Sequence, residues 1–220
     1  MSTARQSSTK ATAARRKLPR AERERQMLKV AARVFGERGF HAASMEEIAD
    51  GVGVTKPMLY AYFGSKEGLY LAVIDQAGSH LVKSVGQLAS VPDPVRRVRL
   101  AAEFLLRYIE RHRDGWAVLF REGVGSSNQV VERMASYRAQ IVSQAAAAFA
   151  GIQGGREDPE VLKSVEPMAH ALLGAGEALA RWWLSQPAES SERMQAAIMA
   201  LVDGMIAGLP ALLSGRSAAD

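Results

Sequence analysis

Apolar residues recur every three to four positions along most of this chain, and runs that alternate between apolar and polar residues are nearly absent. The first clear stripe lies within residues 21–38 and consists of Met27, Val30, Ala31, Val34 and Phe35. This spacing places all five on one face of a helix. The same periodicity predicts helices at about 65–88, 93–112, 116–123, 128–151, 159–185 and 189–213, with Pro, Gly and Asp residues between them. The pattern therefore predicts an all-α protein.

Residues 44–69 predict two short helices, a tight turn between them and the start of a longer helix. Ser44 and Glu47 fit the S-x-x-E capping box of the first short helix. Glycines at 51 and 53 permit the sharp reversal, and Thr55 fits the N-cap of the second helix. Such a helix-turn-helix predicts that the second short helix meets DNA.

The composition of that second helix separates a buried side from an exposed side. Leu59 and Phe63 are four residues apart and are predicted to be core. The residues left to point elsewhere are Lys56, Met58, Tyr60 and Tyr62. Tyrosine hydroxyls and a lysine ammonium reach DNA phosphates, and side chains near the start of such a helix reach base edges. An ordinary solvated surface is the alternative interpretation.

The charge distribution also indicates that the N-terminal part of the chain contacts DNA. Of the net charge of +5, residues 1–65 carry 12 Lys/Arg and 6 Asp/Glu, a balance of +6, and the remainder is nearly neutral. Residues 1–19 are rich in Ser, Thr, Ala and basic residues without an acid, so we expect a disordered basic arm. This arm is either an inert tail or a segment that follows DNA phosphates.

Several functional classes find no support in the sequence. The chain has no cysteine, its four histidines lack metal-ligand spacing, and it contains no zinc-protease, nucleophile-elbow or Walker A motif. We therefore expect no metal, no cofactor and no enzymatic activity. A signal peptide is not predicted, and the most apolar stretch, 194–213, contains Gln195, Asp203 and Pro210. These features predict a cytoplasmic protein that does not span a membrane.

The helix-turn-helix segment resembles the DNA-binding domain of TetR-family transcriptional regulators. The resemblance covers about residues 20–70 and departs at Val52 and Gly68, where alanine and a helix-favouring residue are more usual. The shared positions, in the same order and spacing, are Gly39-Phe40, Ser44-Met45, Ile48-Ala49, Gly53-Val54-Thr55, Leu59-Tyr60, Tyr62-Phe63, Ser65-Lys66-Glu67 and Leu69.

This resemblance implies an architecture and a DNA-contact set. It implies about nine helices: a three-helix DNA-binding domain at 20–66 and a helical regulatory and dimerisation domain at 67–220. The implied DNA-contact residues are Ser44, Met45, Thr55, Lys56, Pro57, Met58, Tyr60, Tyr62 and Lys66.

The last two long helices are predicted to pair with a second copy of the chain. One carries a heptad-like seam and the other an apolar stripe, and TetR-like proteins build a four-helix dimer interface from these helices. Packing inside a single chain is the alternative. The predicted interface residues are Leu162, Val165, Ala169, Leu172, Gly176, Leu179, Trp183, Met194, Ile198, Leu201 and Met205.

The resemblance also implies an effector pocket among the central helices, where aromatic residues accompany a few polar groups. The predicted lining is Phe104, Tyr108, Trp116, Phe120, Tyr137, His170 and Glu177. Pairing of His170 with Glu166 and of Glu177 with Arg181 is the structural alternative. The overall prediction is a dimeric, ligand-responsive repressor of a palindromic operator, with a small hydrophobic effector. A helical sensor or carrier with a vestigial helix-turn-helix is the alternative function.

Overall fold

A computed structural model describes residues 19–120, 127–186 and 188–214, so the predicted basic arm lies outside the described residues except for its last position. The described residues form nine α-helices, one turn of 3₁₀ helix at Leu88–Ser90 and no strand, as the sequence predicted. The helices are α1 (Arg20–Ala42), α2 (Met45–Val52), α3 (Lys56–Phe63), α4 (Lys66–Gln87), α5 (Pro94–Arg111), α6 (Arg113–Leu119), α7 (Asn128–Ile152), α8 (Pro159–Leu184) and α9 (Ser191–Ser214).

Helix α1 extends four residues beyond its predicted end. Four of its five stripe residues are buried as expected, with Met27, Val34 and Phe35 completely covered, and Val30 is half-buried. Gly39 has a positive φ of 77° with ψ at 171°, so the helix is interrupted there and then continues to Ala42. Only glycine adopts this backbone conformation without strain, and the kink turns the chain toward α2.

The caps of α2 differ in part from the sequence prediction. The Ser44 hydroxyl accepts a hydrogen bond from the Glu46 N–H at 3.1 Å. Glu47 instead forms an ion pair with Arg38 at 2.8 Å, so the predicted reciprocal capping box is not formed. At the other end, Gly53 adopts the left-handed conformation (φ 75°, ψ 41°) that permits the reversal into α3.

Helix α4 belongs to both parts of the molecule. It begins at Lys66, packs against α1 and α3, and then runs between α6 and α7 of the body. Near its start, a Cβ on Gly68 would lie 2.1 Å from the backbone oxygen of Phe63. The glycine that departs from the family pattern therefore lets α4 pass close beneath the end of α3.

The body is a bundle in which α7 contacts α4, α5 and α8, while α9 packs on α5 and α8. Polar bonds connect α7 to α4: Arg133 pairs with Asp75, and the Tyr137 hydroxyl donates to the Asp75 carboxylate at 3.0 Å. The ring of Tyr137 covers Gly78, where a Cβ would lie within 2.5 Å of it.

The predicted seam of α8 faces inward rather than toward a partner. Val165, Ala169, Gly176 and Trp183 are buried within the single chain, and on α9 Met194 and Ile198 are buried as well. Leu162, Leu172, Leu179, Leu201 and Met205 are half-buried. The interface prediction is therefore wrong for the buried members, because helical periodicity cannot distinguish an internal stripe from an external one.

Helix α9 leaves a face of small residues exposed. Within it, the 21 residues of Ser191–Ala211 have a mean hydropathy of 1.5, enough by length and composition to cross a membrane, and 22% of the window is buried. The sequence had predicted no membrane-spanning segment. The finding is weak on its own, because core helices of soluble proteins satisfy the same criterion.

Candidate nucleic-acid interface and effector cavity

Helix α3 presents an exposed face around one buried anchor. Leu59 is completely buried, whereas Met58 and Tyr60 are 40% and 41% exposed. Thr55 and Pro57 are exposed beside them. Thr55 precedes the helix but makes no side-chain capping hydrogen bond, so its hydroxyl is available to a partner. Large side chains at this exposure on a short helix are suited to contact with another molecule.

Lys56, at the first position of α3, is held by an acid of α2. Its Nζ donates to the Glu46 Oε1 at 2.7 Å. This bond is the main cause of the raised pKa of Lys56 and of the lowered pKa of Glu46. Both side chains are exposed, so water and salt screen the pair, and a phosphate can compete with Glu46 for the ammonium.

Two further predicted contact residues, Tyr62 near the end of α3 and Lys66 at the start of α4, also contact other parts of the helix-turn-helix domain. The Arg20 guanidinium stands 5.0 Å above the ring of half-buried Tyr62, which joins the start of α1 to the end of α3. Lys66 donates to the His41 carbonyl at 3.1 Å and lies 4.9 Å from the ring centre of Phe40. Burial lowers the pKa of Lys66. These residues therefore brace the helix-turn-helix as well as bordering its exposed face.

Met45 is the one predicted DNA-contact residue whose side chain is in the core. It is 4% exposed, so a phosphate near this position would meet its backbone and not its side chain. The apolar side chain of this first residue of α2 packs inward. Its backbone N–H is one of the N–H groups at the helix start that have no partner within the helix. Ser44, just before it, is half-buried and occupied in capping.

A second feature, a largely apolar cavity of about 160 Å³, lies inside the body. Its walls come from the end of α4 with the 3₁₀ turn, and from α5, α7, α8 and α9. The α7 contribution includes Ile141, Gln144, Ala145 and Ala148, which lie on one helical face. A cavity of similar size that is lined by apolar side chains stays dry and admits a small hydrocarbon.

Three polar side chains interrupt the apolar wall. Arg97 is buried and donates through Nε and Nη2 to the Val91 carbonyl at 3.1 and 2.6 Å. Burial lowers the pKa of Arg97, and the charge of Arg156, which is also in the wall, adds to that effect. Gln144 donates to the Val82 carbonyl at 3.2 Å, but its buried Oε1 accepts no hydrogen bond from any described residue.

Of the seven predicted pocket residues, only Phe120 lines this cavity. Tyr108 and Trp116 are core: burial raises the pKa of Tyr108 to about 12, and its hydroxyl donates to the Ala77 carbonyl at 3.1 Å. Phe104 lies half-buried next to Tyr108. Tyr137 belongs to the α4–α7 contact described above.

The two charged residues of that prediction also lie elsewhere. His170 is exposed and is 3.9 Å from Glu166, which agrees with the structural alternative. Glu177 pairs at 2.8 Å with Arg138 of α7 rather than with Arg181 on its own helix. Burial raises the pKa of Glu177, against the lowering effect of Arg138 and Arg181.

The cavity instead uses residues that the sequence had given to a dimer. Ala169, Leu172 and Gly176 of α8, together with Ile198 and Leu201 of α9, form part of its wall. The alanines of α7 and the two arginines were missed altogether. The i, i+3, i+4, i+7 spacing of residues 141, 144, 145 and 148 is a signal for this face, although small residues at that spacing also fit ordinary packing.

The chain matches two family models. Residues 27–73 match the family described as bacterial regulatory proteins, tetR family. Residues 94–208, more than half of the chain, match the tetracyclin repressor-like C-terminal domain.

Individual relatives agree with these matches. A TetR-like transcriptional regulator from Rhodococcus sp. RHA1 is 32% identical, with a TM-score of 0.71, over 87% of this chain and 100% of that structure. The transcriptional activator FasR of Mycolicibacterium smegmatis is 42% identical over 119 residues, 54% of each protein. The transcriptional repressor NicS of Pseudomonas putida is 30% identical over 99 residues, 44% of this chain and 47% of that protein. The chain spans about half the length of these curated relatives.

Proposed function

Because the chain belongs to the TetR family of bacterial transcriptional regulators, we propose that it is a dimeric repressor that binds a palindromic operator and responds to a ligand. The observation that carries the DNA-binding part is the exposed face of α3, where Thr55, Met58 and Tyr60 surround the buried anchor Leu59. The excess of positive charge in residues 1–65 supports a polyanionic partner. A DNA-binding regulator of this kind works in the cytoplasm and needs no enzymatic activity.

We place the dimer contact on the exposed small-residue faces of α8 and α9, not on the inward seam. On α9, Ala197, Ala200, Gly204 and Gly208 are exposed at three- and four-residue spacing. A Cβ on either glycine would meet nothing within 4 Å, so the face is open to a second copy of the chain. A two-fold dimer would set two α3 helices about 34–36 Å apart, one in each of two successive major grooves.

The relatives include both a transcriptional activator and a transcriptional repressor. The repressor is proposed because a ligand in the body cavity can shift the protein away from the geometry that fits the operator. Such a ligand can shift the equilibrium between the two geometries only by as much as its affinities for them differ.

The decisive experiment is selection of bound fragments from genomic DNA by the full chain at physiological salt. Enrichment of a palindromic sequence, followed by measured affinities for it and for random DNA, supports a specific regulator. Equal affinity for both sequences contradicts it. Tight ligand binding without DNA binding in either ligand state would favour the sensor or carrier with a vestigial helix-turn-helix.

The dimer is tested by placing a charge on the small face. Gly204→Arg should convert the dimer to a monomer in analytical ultracentrifugation, whereas Gln76→Arg, a change on the exposed face of α4, should not. A dimer that survives Gly204→Arg would move the interface elsewhere. The monomer should also lose most of its affinity for a palindromic site.

The N-terminal arm is proposed to follow DNA phosphates. Residues 1–18 contain five Lys/Arg, so their deletion should reduce the slope of log affinity against log salt by up to about 4. An unchanged slope, measured on the selected operator between 50 and 300 mM salt, would make the arm an inert tail.

A further inference from the structure

The two arginines of the cavity wall lie near the start of α5 and after the end of α7. Arg97 lies in the first turn of α5, and Arg156 follows the end of α7, close to the 3₁₀ turn after α4. Among the described residues, Arg156 donates only to the Ala89 carbonyl, at 3.4 Å, and Arg97 only to the Val91 carbonyl. Neither arginine forms a salt bridge with a described residue.

The acid that raises the pKa of Arg97 already caps a helix. Asp93 favours the charged form of Arg97, but its Oδ1 accepts the N–H groups of Val95 and Arg96 as the N-cap of α5. Arg97 and Arg156, whose charge lowers the pKa of Arg97, are therefore held at one cavity without a salt bridge to any described carboxylate. Guanidinium groups bind carboxylates and phosphates through pairs of parallel hydrogen bonds.

The rest of the wall has the opposite character. From Ile141 to Phe149, α7 lines the cavity over about 12 Å of helix axis, and its other contributors there, apart from Gln144, are alanines. Facing them are leucines of α4, α5 and α8. This surface offers a hydrocarbon chain dispersion contacts and removal from water. A hydroxyl or amide N–H along such a chain would also satisfy Gln144 Oε1.

From this division we infer that the effector is an anionic amphiphile, an aliphatic chain that ends in a carboxylate or a phosphate-bearing group. The chain occupies the apolar part of the cavity, and the anionic end binds Arg97 and Arg156. This inference rests on the proposed ligand-responsive function and specifies the chemistry of its ligand.

Calorimetric titration of the full chain with three homologous series tests the inference. The series are saturated carboxylic acids of six to sixteen carbons, primary alcohols of the same lengths, and the corresponding coenzyme A thioesters. Each added methylene should tighten binding about fourfold until the cavity is full. The charged series should bind at least tenfold more tightly than the alcohols of equal length, and equal affinities would overturn the inference.

Variants assign the anionic preference to the two arginines. Arg156→Met changes an exposed side chain with a single long hydrogen bond, so the fold should survive; Arg97→Met is the second variant. Each should reduce the ratio of charged-ligand to alcohol affinity about tenfold and leave alcohol binding unchanged. Arg107→Met, an exposed arginine three turns along α5, is the matched control. A ratio unchanged in both variants overturns the assignment.

The same titrations distinguish a carboxylate ligand from a phosphate-bearing one. They also distinguish a failure of the inference about the cavity from a failure of the proposed DNA-binding function. Binding of the free acids alone identifies a carboxylate, and binding of the thioesters alone identifies a phosphate-bearing carrier. Binding of neither overturns the inference while operator binding, measured in parallel, still stands. Ligand binding without any DNA binding contradicts the proposed function and leaves the inference about the cavity in place.

Discussion

The proposed DNA-contact face and the proposed effector cavity are built over very different lengths of sequence. The DNA face is assembled from residues 44–66, so its parts are neighbours in the chain before the protein folds. The cavity wall extends from Leu81 to Leu201 and requires five helices and a 3₁₀ turn to meet. Local spacing therefore describes the first site well, whereas the second exists only after the bundle has packed.

The largest expected effect tests whether these two regions fold as one unit. Phe35 of α1, in the helix-turn-helix domain, and Phe149 of α7, in the body, are both completely buried. Phe35→Ala and Phe149→Ala should each lower the free energy of unfolding by about 4 kcal/mol, because both remove a large side chain and leave a cavity. The exposed Val131→Ala should change it by less than about 0.5 kcal/mol.

The readout of this prediction uses the position of the tryptophans. All three, Trp116, Trp182 and Trp183, lie in the body, so their fluorescence reports the body while far-ultraviolet circular dichroism reports the whole chain. Since α4 and the α1–α6 contact join the two regions, we expect coincident denaturant transitions in both phenylalanine variants. Separate transitions would mean that the helix-turn-helix domain unfolds independently of the body.

A smaller effect concerns the junction itself. Gly68→Ala should lower the free energy of unfolding by about 2 kcal/mol, because the new Cβ meets the Phe63 carbonyl and must displace backbone. Operator affinity should fall more than tenfold, since α3 is displaced with it. Gly86→Ala on the same helix is the control, because its Cβ makes only an ordinary 3.4 Å contact and helix propensity improves. Unimpaired DNA binding by Gly68→Ala would contradict this account.

Removing one negative charge from the proposed DNA-contact face should raise the affinity for the operator several-fold. Glu46→Gln removes the carboxylate that holds Lys56, so the ammonium becomes free to bind phosphate. Operator affinity should rise several-fold, and the salt slope should steepen by about one. Glu132→Gln makes the same change on the exposed surface of α7 and should alter neither quantity. A weaker complex with Glu46→Gln would show that Glu46 positions Lys56 for DNA.

The smallest effect is a pH dependence inside the body. Burial raises the pKa of the Glu177 carboxyl above 4.5, so folding favours protonation of this carboxyl relative to the unfolded chain. Its contribution to stability is fully present below the ordinary pKa and is lost as the pH rises through the raised value. The unfolding free energy of the natural chain relative to Glu177→Gln should therefore fall as the pH rises above 4.5. Urea unfolding at pH 4 to 7 measures this difference, and a difference that rises with pH would contradict it.

The fold was largely predictable because every helix carries a strong local signal. Each predicted body helix begins and ends within a few residues of an observed one, and the anchor Leu59 was identified from spacing alone. The failures share a cause. Val165 and Ala169 lie on a true apolar stripe, but a stripe does not say whether its partner is another helix of the same chain or of a second copy.

The cavity residues were harder to predict for a second reason. An aromatic side chain such as Trp116 suggests a pocket by its chemistry, yet large rings are more often the filling of a core. The actual wall is lined by alanines, whose small size creates space without any distinctive signal. Arg97 and Arg156 are separated by most of α5, α6 and α7, so no motif connects them.

Helix α4 gives this arrangement a mechanical consequence. Its 22 residues extend for about 33 Å, with the cavity at one end and the helix-turn-helix at the other. A rotation of about 5° about the cavity end moves the opposite end by about 3 Å, by the same helix dimensions. Hydrogen bonds to DNA tolerate only a few tenths of an ångström in length. An angular change too small to disturb the packing of the bundle is thus amplified into a distance that the proposed operator, with its fixed half-site spacing, would not accommodate.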